Sequence, residues 1–332
     1  MDADAKTTRL AWMDVMRGLL VLSVVVGHAT GRYNIFIYQF HMGAFFLVSG
    51  YMSQPERKTV FQTFFHRFFS TYLPVLSAFV AFLTVTVILV KTNLYSAFFD
   101  DTLPFIGIGS TIQEFIFHGR DYVWWLGATW FILTLFTASM VNRVILRLCG
   151  DRYGIAYCAL ITLLYLLAYH RMNQGHSWLV LTLLAQFYFG LGTLFKRVHL
   201  PQLNIPASVV YVICLLVSGV LLWMVSIKFS FTMDWPSLRF NNPLIDALCV
   251  LNGTVFIAAL AKLLETVPYL SAGLQYCGRN SLSIVLFHFA WFNAGFYALY
   301  LLGIVPFDYL RNFTPTASGT IRPGKDYVSE MV

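Results

Sequence analysis

Windows of about 20 consecutive apolar residues, the length that crosses the hydrocarbon core of a bilayer, recur along this chain near residues 10–30, 35–53, 70–90, 122–146, 153–170, 177–195, 206–227, 243–264 and 281–302. No water-soluble core could bury that much apolar helix. Hydrophobic residues make up 58% of the sequence and charged ones 11%, with a mean hydropathy of +0.69, whereas charged residues alone are about a quarter of a soluble domain. The fold class is therefore an all-α integral membrane protein, a single bundle of about nine to ten transmembrane helices over residues 1–302. The polar tail, 303–332, carries Pro315, Ser318, Gly319, Pro323 and Gly324 and reads as disordered. The tenth candidate span, Leu103 to Phe117, is short and holds Pro104, Gly107, Gly109, Gln113 and Glu114, so it reads as a re-entrant or surface helix.

Lysine and arginine in short loops set the expected orientation. With the N-terminus cytoplasmic, the inner segments hold Lys6, Arg9, Arg57, Lys58, Arg67, Arg143, Arg147, Arg152, Lys196, Arg197, Lys262 and Arg279. The outer ones hold only Arg32, Lys91, Arg120, Arg171, Lys228 and Arg239. The net charge of +7 is then a topology signal and a fit to anionic lipid heads; interleaved with spans, it makes no nucleic-acid footprint. Met1 to Thr8 lacks an apolar region before any cleavage site, so the first span is expected to serve as its own targeting signal to the inner membrane. Cys149, Cys158, Cys214, Cys249 and Cys277 fall in spans or inner loops, where free thiols rather than disulfides or metal pairs are expected.

Two residues conflict with the first span. Arg17 and His28 lie inside it, and eleven residues of α-helix advance about 16 Å and return to within about 20° of the same face. Asp14 shares that face and can orient Arg17 by an i,i+3 pair. Ionisable residues in a span are costly and normally face a bundle interior or a wet cavity. The bland alternative is a snorkelling Arg17 and a His28 bonded to a neighbouring carbonyl.

Other polar intrusions follow in order: FHMGAFFLVSGYM at Phe40 to Met52, FFHRFFSTYLP at Phe64 to Pro74, TWFILTLF at Thr129 to Phe136 and GRNSLSIVLFH at Gly278 to His288. This set resembles the membrane-bound acyltransferase-3 family, in particular its single-domain sugar and polysaccharide O-acetyltransferase branch. The resemblance covers roughly residues 10 to 300. The family's Arg/Lys, ten residues, His signature falls on Arg17 and His28. Its His-Met-Pro segment ending in Ser-Gly-Tyr falls on His41 to Tyr51, with Gly43 where proline is commoner. Its basic loop is met by Arg67, while Ser70 takes the second basic position ahead of Pro74.

The resemblance implies acetyl-CoA or another acyl-CoA as co-substrate, no metal, and a glycan or lipid-linked sugar as acceptor, with membrane lipid around the chain and envelope-polysaccharide synthesis machinery as a candidate partner. It makes His28, Arg17 and Asp14 the catalytic candidates, Arg17 and Arg67 the donor-binding ones, and His41, Ser49, Tyr51, Trp130 and His288 the substrate-binding ones. The chemistry agrees. Moving an acyl group from thioester to hydroxyl needs a base, for which histidine is suited near neutrality, and a holder for an anionic donor, which arginine does through paired contacts to phosphate. Ser49 as a nucleophile would need an adjacent base, His41 could equally be an interfacial hydrogen-bonding residue, and Asn280 or Ser281 reads as the cap of the last span. Carboxylates and aromatics in the outer loops, including Asp100, Asp101, Glu114, Asp121, Asp234, Tyr122, Trp124, Trp125 and Trp235, suit either an interfacial belt or a polyol acceptor. Rival readings are a transporter or flippase for a sugar-containing or anionic solute, with Arg17 and His28 lining its path, and a non-catalytic subunit of an envelope-polymer complex.

Overall fold

The computed structural model describes residues 11–30, 33–53, 59–99, 105–118, 123–126, 128–172, 178–197, 207–229, 232–304, 314–315 and 321–322. Within them the helices are α1 (Ala11–Thr30), α2 (Asn34–Ile37), α3 (His41–Met52), α4 (Val60–Arg67), α5 (Leu73–Lys91), α6 (Tyr95–Phe98), α7 (Ile108–Gln113), α8 (Thr129–Leu148), α9 (Ile155–Arg171), α10 (Trp178–Phe195), α11 (Ala207–Phe229), α12 (Pro243–Leu264), α13 (Pro268–Arg279) and α14 (Ser281–Leu301). A two-residue antiparallel pairing joins Thr314–Pro315 to Ile321–Arg322. Apart from that pairing and residues 303–304, the tail expected to be disordered lies outside the described residues.

Seven helical stretches are long and apolar enough to cross a membrane: Ala11–Ala29, Val60–Lys91, Thr129–Leu148, Trp178–Phe195, Ala207–Lys228, Pro243–Leu264 and Ser281–Leu301. The chain is a multi-pass membrane protein, but the expected nine to ten spans are not reached by length and composition among the described residues. α9, at 17 residues, is shorter. The second window breaks at the turn between α2 and α3, which leaves α3 with 12 residues, about 18 Å against a core of about 30 Å. Being apolar all round, α3 is stable only with protein on every side, and Met42, Ala44, Phe45, Phe46, Leu47 and Val48 are all buried. Among the described residues between α6 and α8 are the short α7, a single π turn, Glu114–His118, and a 3-10 turn, Trp124–Leu126.

Small residues draw the helices that carry the candidate site into backbone contact. A Cβ on Gly18 of α1 would collide with the Leu274 carbonyl of α13, and one on Gly278 of α13 would collide with the Asp14 carbonyl of α1. α3 and α10 meet in the same way, Gly50 against the Phe189 carbonyl and Gly192 against the Leu47 carbonyl. Without a hydrophobic drive between spans, such close approach and the dispersion contacts it allows are what associate helices in lipid.

α4 begins at a reciprocal cap, in which the Gln62 amide donates to Thr59 Oγ1 at 3.1 Å and the Thr59 amide to Gln62 Oε1 at 3.0 Å. It continues through a π turn, Phe68–Tyr72, into α5. π turns inside α-helices are uncommon and recur at functional positions. This one follows Arg67 directly and carries Ser70.

Candidate active site

The α1–α13 crossing fixes two ionic side chains. Asp14 is fully buried, and Arg279 Nε donates to its Oδ2 at 3.1 Å from a side chain 52% exposed. The second Arg279 contact, Nη2 to Gln275 Oε1 at 2.7 Å, holds the guanidinium along α13. Three residues above Asp14, Arg17 Nη2 donates to Ser281 Oγ at 2.7 Å. Asn280 stands at the N-cap of α14, as expected by position, but its side chain makes no cap bond there, and Asn280 Nδ2 instead donates back to the Tyr276 carbonyl at 2.9 Å. A charged donor in a low-dielectric interior makes the stronger bond, so the Ser281 oxygen serves Arg17.

Arg17 opens onto a cavity of about 450 Å³ that Arg67, His66, Ser49, Ser70 and Ser281 also line. Apolar residues, among them Phe45, Phe131, Phe189 and Val285, line the rest of it. Two guanidinium groups facing one cavity repel each other unless an anion lies between them, and the hydroxyls supply further donors. Ser70, which departs from the family's basic pair, still faces this cavity, and His66 adds a nitrogen donor beside Arg67.

Further along α1 and α14 lie the histidines, His28 three turns beyond Arg17 and His288 two turns beyond Ser281. The His28 and His288 rings stack with centroids 5.2 Å apart and planes 30° apart, and Phe289 packs against both, at 4.9 Å and 4.3 Å. α14 contributes Ser281 and Val285 to the cavity wall and His288 on the same face, about 4.5 Å of helix rise beyond Val285. Of the expected site residues, Arg17, Arg67 and Ser49 therefore share one cavity, and His28 and His288 meet each other just past its end.

The remaining candidates lie elsewhere. His41 is buried, its Nδ1 bonded to the Ile37 carbonyl at 2.9 Å and its ring stacked on Tyr38 at 4.9 Å. Tyr51 meets Trp12 edge-on at 6.3 Å, and Lys262 Nζ sits 4.6 Å over that Trp12 ring. Trp130 contacts Phe131 at 6.1 Å. None of these three lines the cavity. Among the loop residues weighed for an acceptor, Asp100, Asp101, Asp121 and Tyr122 lie outside the described residues. Trp235 is neither belt nor surface: a hairpin closed by the Asp234–Arg239 bridge turns it inward, 5.3 Å from Phe46 and 6.0 Å from Tyr188.

Under that hairpin lies a network that the sequence did not announce. Tyr169 donates to Asp246 Oδ2, which also accepts from the Asn241 amide at 3.1 Å, and the Tyr165 hydroxyl lies 3.0 Å from that of Tyr188. Asp246 is a single carboxylate in an apolar window, and its partners come from two separate segments, α9 and the loop before α12. The fully buried group is satisfied on both oxygens, which reads as an anchor for the hairpin.

No curated protein and no solved structure gave a significant match to the chain. The family model described as an acyltransferase domain, that of acyltransferase-3, matches residues 10–321. That match covers nearly the whole sequence, and the chain belongs to the acyltransferase-3 family.

Proposed function

We propose that this acyltransferase moves an acyl group, acetyl by preference, from cytoplasmic acyl-CoA to a hydroxyl of an extracytoplasmic glycan or lipid-linked sugar. The observation that carries the reading is the arrangement on α1 and α14: an anion-binding cavity with Arg17 and Arg67, then the His28–His288 pair one turn past its last wall residue. Arg17 and Arg67 hold the donor phosphates, and the pantetheine arm lies along the apolar wall toward His28. His28 takes the proton of the acceptor hydroxyl as its oxygen bonds to the acyl carbon. The carbon–sulfur bond breaks, and the proton passes to the departing thiolate. The N-terminus and the Arg67 face are cytoplasmic, the acceptor comes from the other side, and the membrane is the inner one.

The test is transfer from acetyl-labelled CoA by the purified protein, together with comparison of base-labile O-acyl groups on envelope polysaccharide from cells with and without the chain. Label appearing in an ester, and ester groups missing from the deletion strain, support the reading. Solute movement without thioester consumption would replace it with a transporter.

A further inference from the structure

His288 has one ring nitrogen committed and one not. Its Nδ1 lies 2.8 Å from the Val285 carbonyl oxygen, and a carbonyl only accepts, so Nδ1 carries the proton and Nε2 the lone pair. That Nε2 is buried without a hydrogen-bond partner, on a residue 4% exposed. An unfilled buried acceptor is destabilising, and such atoms in a folded protein call for a specific explanation.

The neighbours do not fill it. His28 meets His288 through stacked faces, 30° apart in plane, an arrangement that sets the in-plane nitrogens of the two rings side by side instead of pointing at one another. Phe289 and Phe292, whose rings lie 4.3 Å and 5.8 Å away, have no donor to offer. A hydroxyl of a bound ligand would supply the missing donor, at the place where the acyl carbon and the acceptor hydroxyl must meet.

We infer that His288 Nε2 anchors a second hydroxyl of the acceptor, so that the site takes a vicinal diol: one hydroxyl donates to His28, and its neighbour donates to His288. The inference rests on the reading of His28 as the base. Two near-parallel imidazoles whose centres are 5.2 Å apart suit two adjacent hydroxyls of a sugar or cyclitol ring, each held by a bond of about 2.8 Å. An acceptor whose lone hydroxyl is spent on His28 leaves His288 Nε2 without a donor. Sites built to bond a substrate hydroxyl reject analogues that lack it, by up to about 10⁴–10⁵-fold.

The test uses the full-length protein in membranes, acetyl-labelled CoA, and two probes, 1,2-cyclohexanediol and its monomethyl ether. Each is read as kcat/KM or, where it is not acylated, as a competitive constant against the endogenous acceptor. The parent should favour the diol by at least about 100-fold, and His288→Phe, which keeps a ring but no lone pair, should bring the two within about threefold. His288→Gln restores an amide oxygen and should retain part of the preference. A merely structural role for His288 would depress both probes equally. Parity in the parent, or a preference that survives in His288→Phe, overturns the inference. If the parent transfers no label even to the endogenous acceptor, the acyltransferase reading itself falls, whereas parity with that transfer intact removes the diol alone.

Discussion

Arg17 Nη2 lies 2.7 Å from Ser281 Oγ, a bond between the first long helix and the last across 264 positions of sequence. A hydroxyl partner orients a guanidinium without neutralising it. Asp14 nearby is held by Arg279 on the other side of the same crossing. The cavity is thus assembled where α1 and α14 meet α3, α4, α8 and α10, and its chemistry depends on packing contacts as much as on any one side chain.

Arg17→Ala should weaken acyl-CoA binding most and Arg17→Lys less, since lysine keeps the charge and loses the planar fork. Ser281→Ala removes only the orienting bond to a charged group, worth roughly 1.5–3 kcal/mol, and should cost on the order of tenfold in donor affinity. Titration of the purified variants with a non-hydrolysable acyl-CoA analogue measures this. Unchanged affinity in Arg17→Ala would assign Arg17 to the fold or to the acceptor.

His28→Ala should lower turnover by about 10²–10⁴-fold, the usual cost of losing a general base, while membrane insertion and donor affinity stay near those of the parent. The assay is single-turnover transfer with donor saturating. Near-normal turnover in the variant would remove the base from His28.

The helices and the Arg17–His28 face were legible because both rest on local rules, the cost of charge in lipid and the 3.6-residue period. What could not be read was who faces those residues. His288 and Ser281 share a face of one helix in the sequence, yet nothing there says that the face meets α1. Arg279 looked like an ordinary topology charge, and its pairing with Asp14 depends on Gly18 and Gly278 allowing two backbones to touch. Trp235 looked like a belt residue because hydropathy does not record that a six-residue hairpin folds inward. The break that leaves α3 short was hidden in an unbroken apolar window.

Gly278→Ala should destabilise the bundle by about 1–3 kcal/mol, the usual cost of overpacking, because the new methyl group meets the Asp14 carbonyl of α1. Gly273→Ala, on the same helix with open space around it, is the control and should leave the unfolding midpoint near that of the parent. Thermal unfolding in one detergent compares them, and equal midpoints would show that the crossing relaxes freely.

Asp151, in the turn after α8, is bonded to Arg143 and lies 3.3 Å from Arg147. The Arg143 hydrogen bond, ahead of all other causes, holds its carboxyl below the ordinary value of 3.8. A carboxyl whose folded pKa is depressed contributes stability that is fully present above the unfolded value and is lost as pH falls through the folded one. Asp151→Asn should therefore unfold more readily than the parent at pH 6–7, and the gap should close in acid below about pH 4. A gap independent of pH would mean that packing, and not the ion pair, is what the substitution removes.

α3 and α10 end together, where Lys196 Nζ reaches the Ser53 carbonyl at 2.9 Å. Arg197 lies 4.2 Å over the Tyr153 ring, so the basic residues after α10 sit at the end of the bundle where Ser53 lines the cavity together with Arg67. Positive residues in short loops favour the cytoplasmic face, which is also the side that holds acyl-CoA. A single cysteine at Ser53, in a background lacking the five native thiols, should resist a membrane-impermeant thiol reagent in intact cells, and one at the exposed Ser110 of α7 should react. In oriented vesicles, acyl-CoA should support transfer only from the Ser53 side. The opposite labelling would turn the molecule over, and the donor phosphates would then have to reach Arg17 from outside, where no acyl-CoA is made.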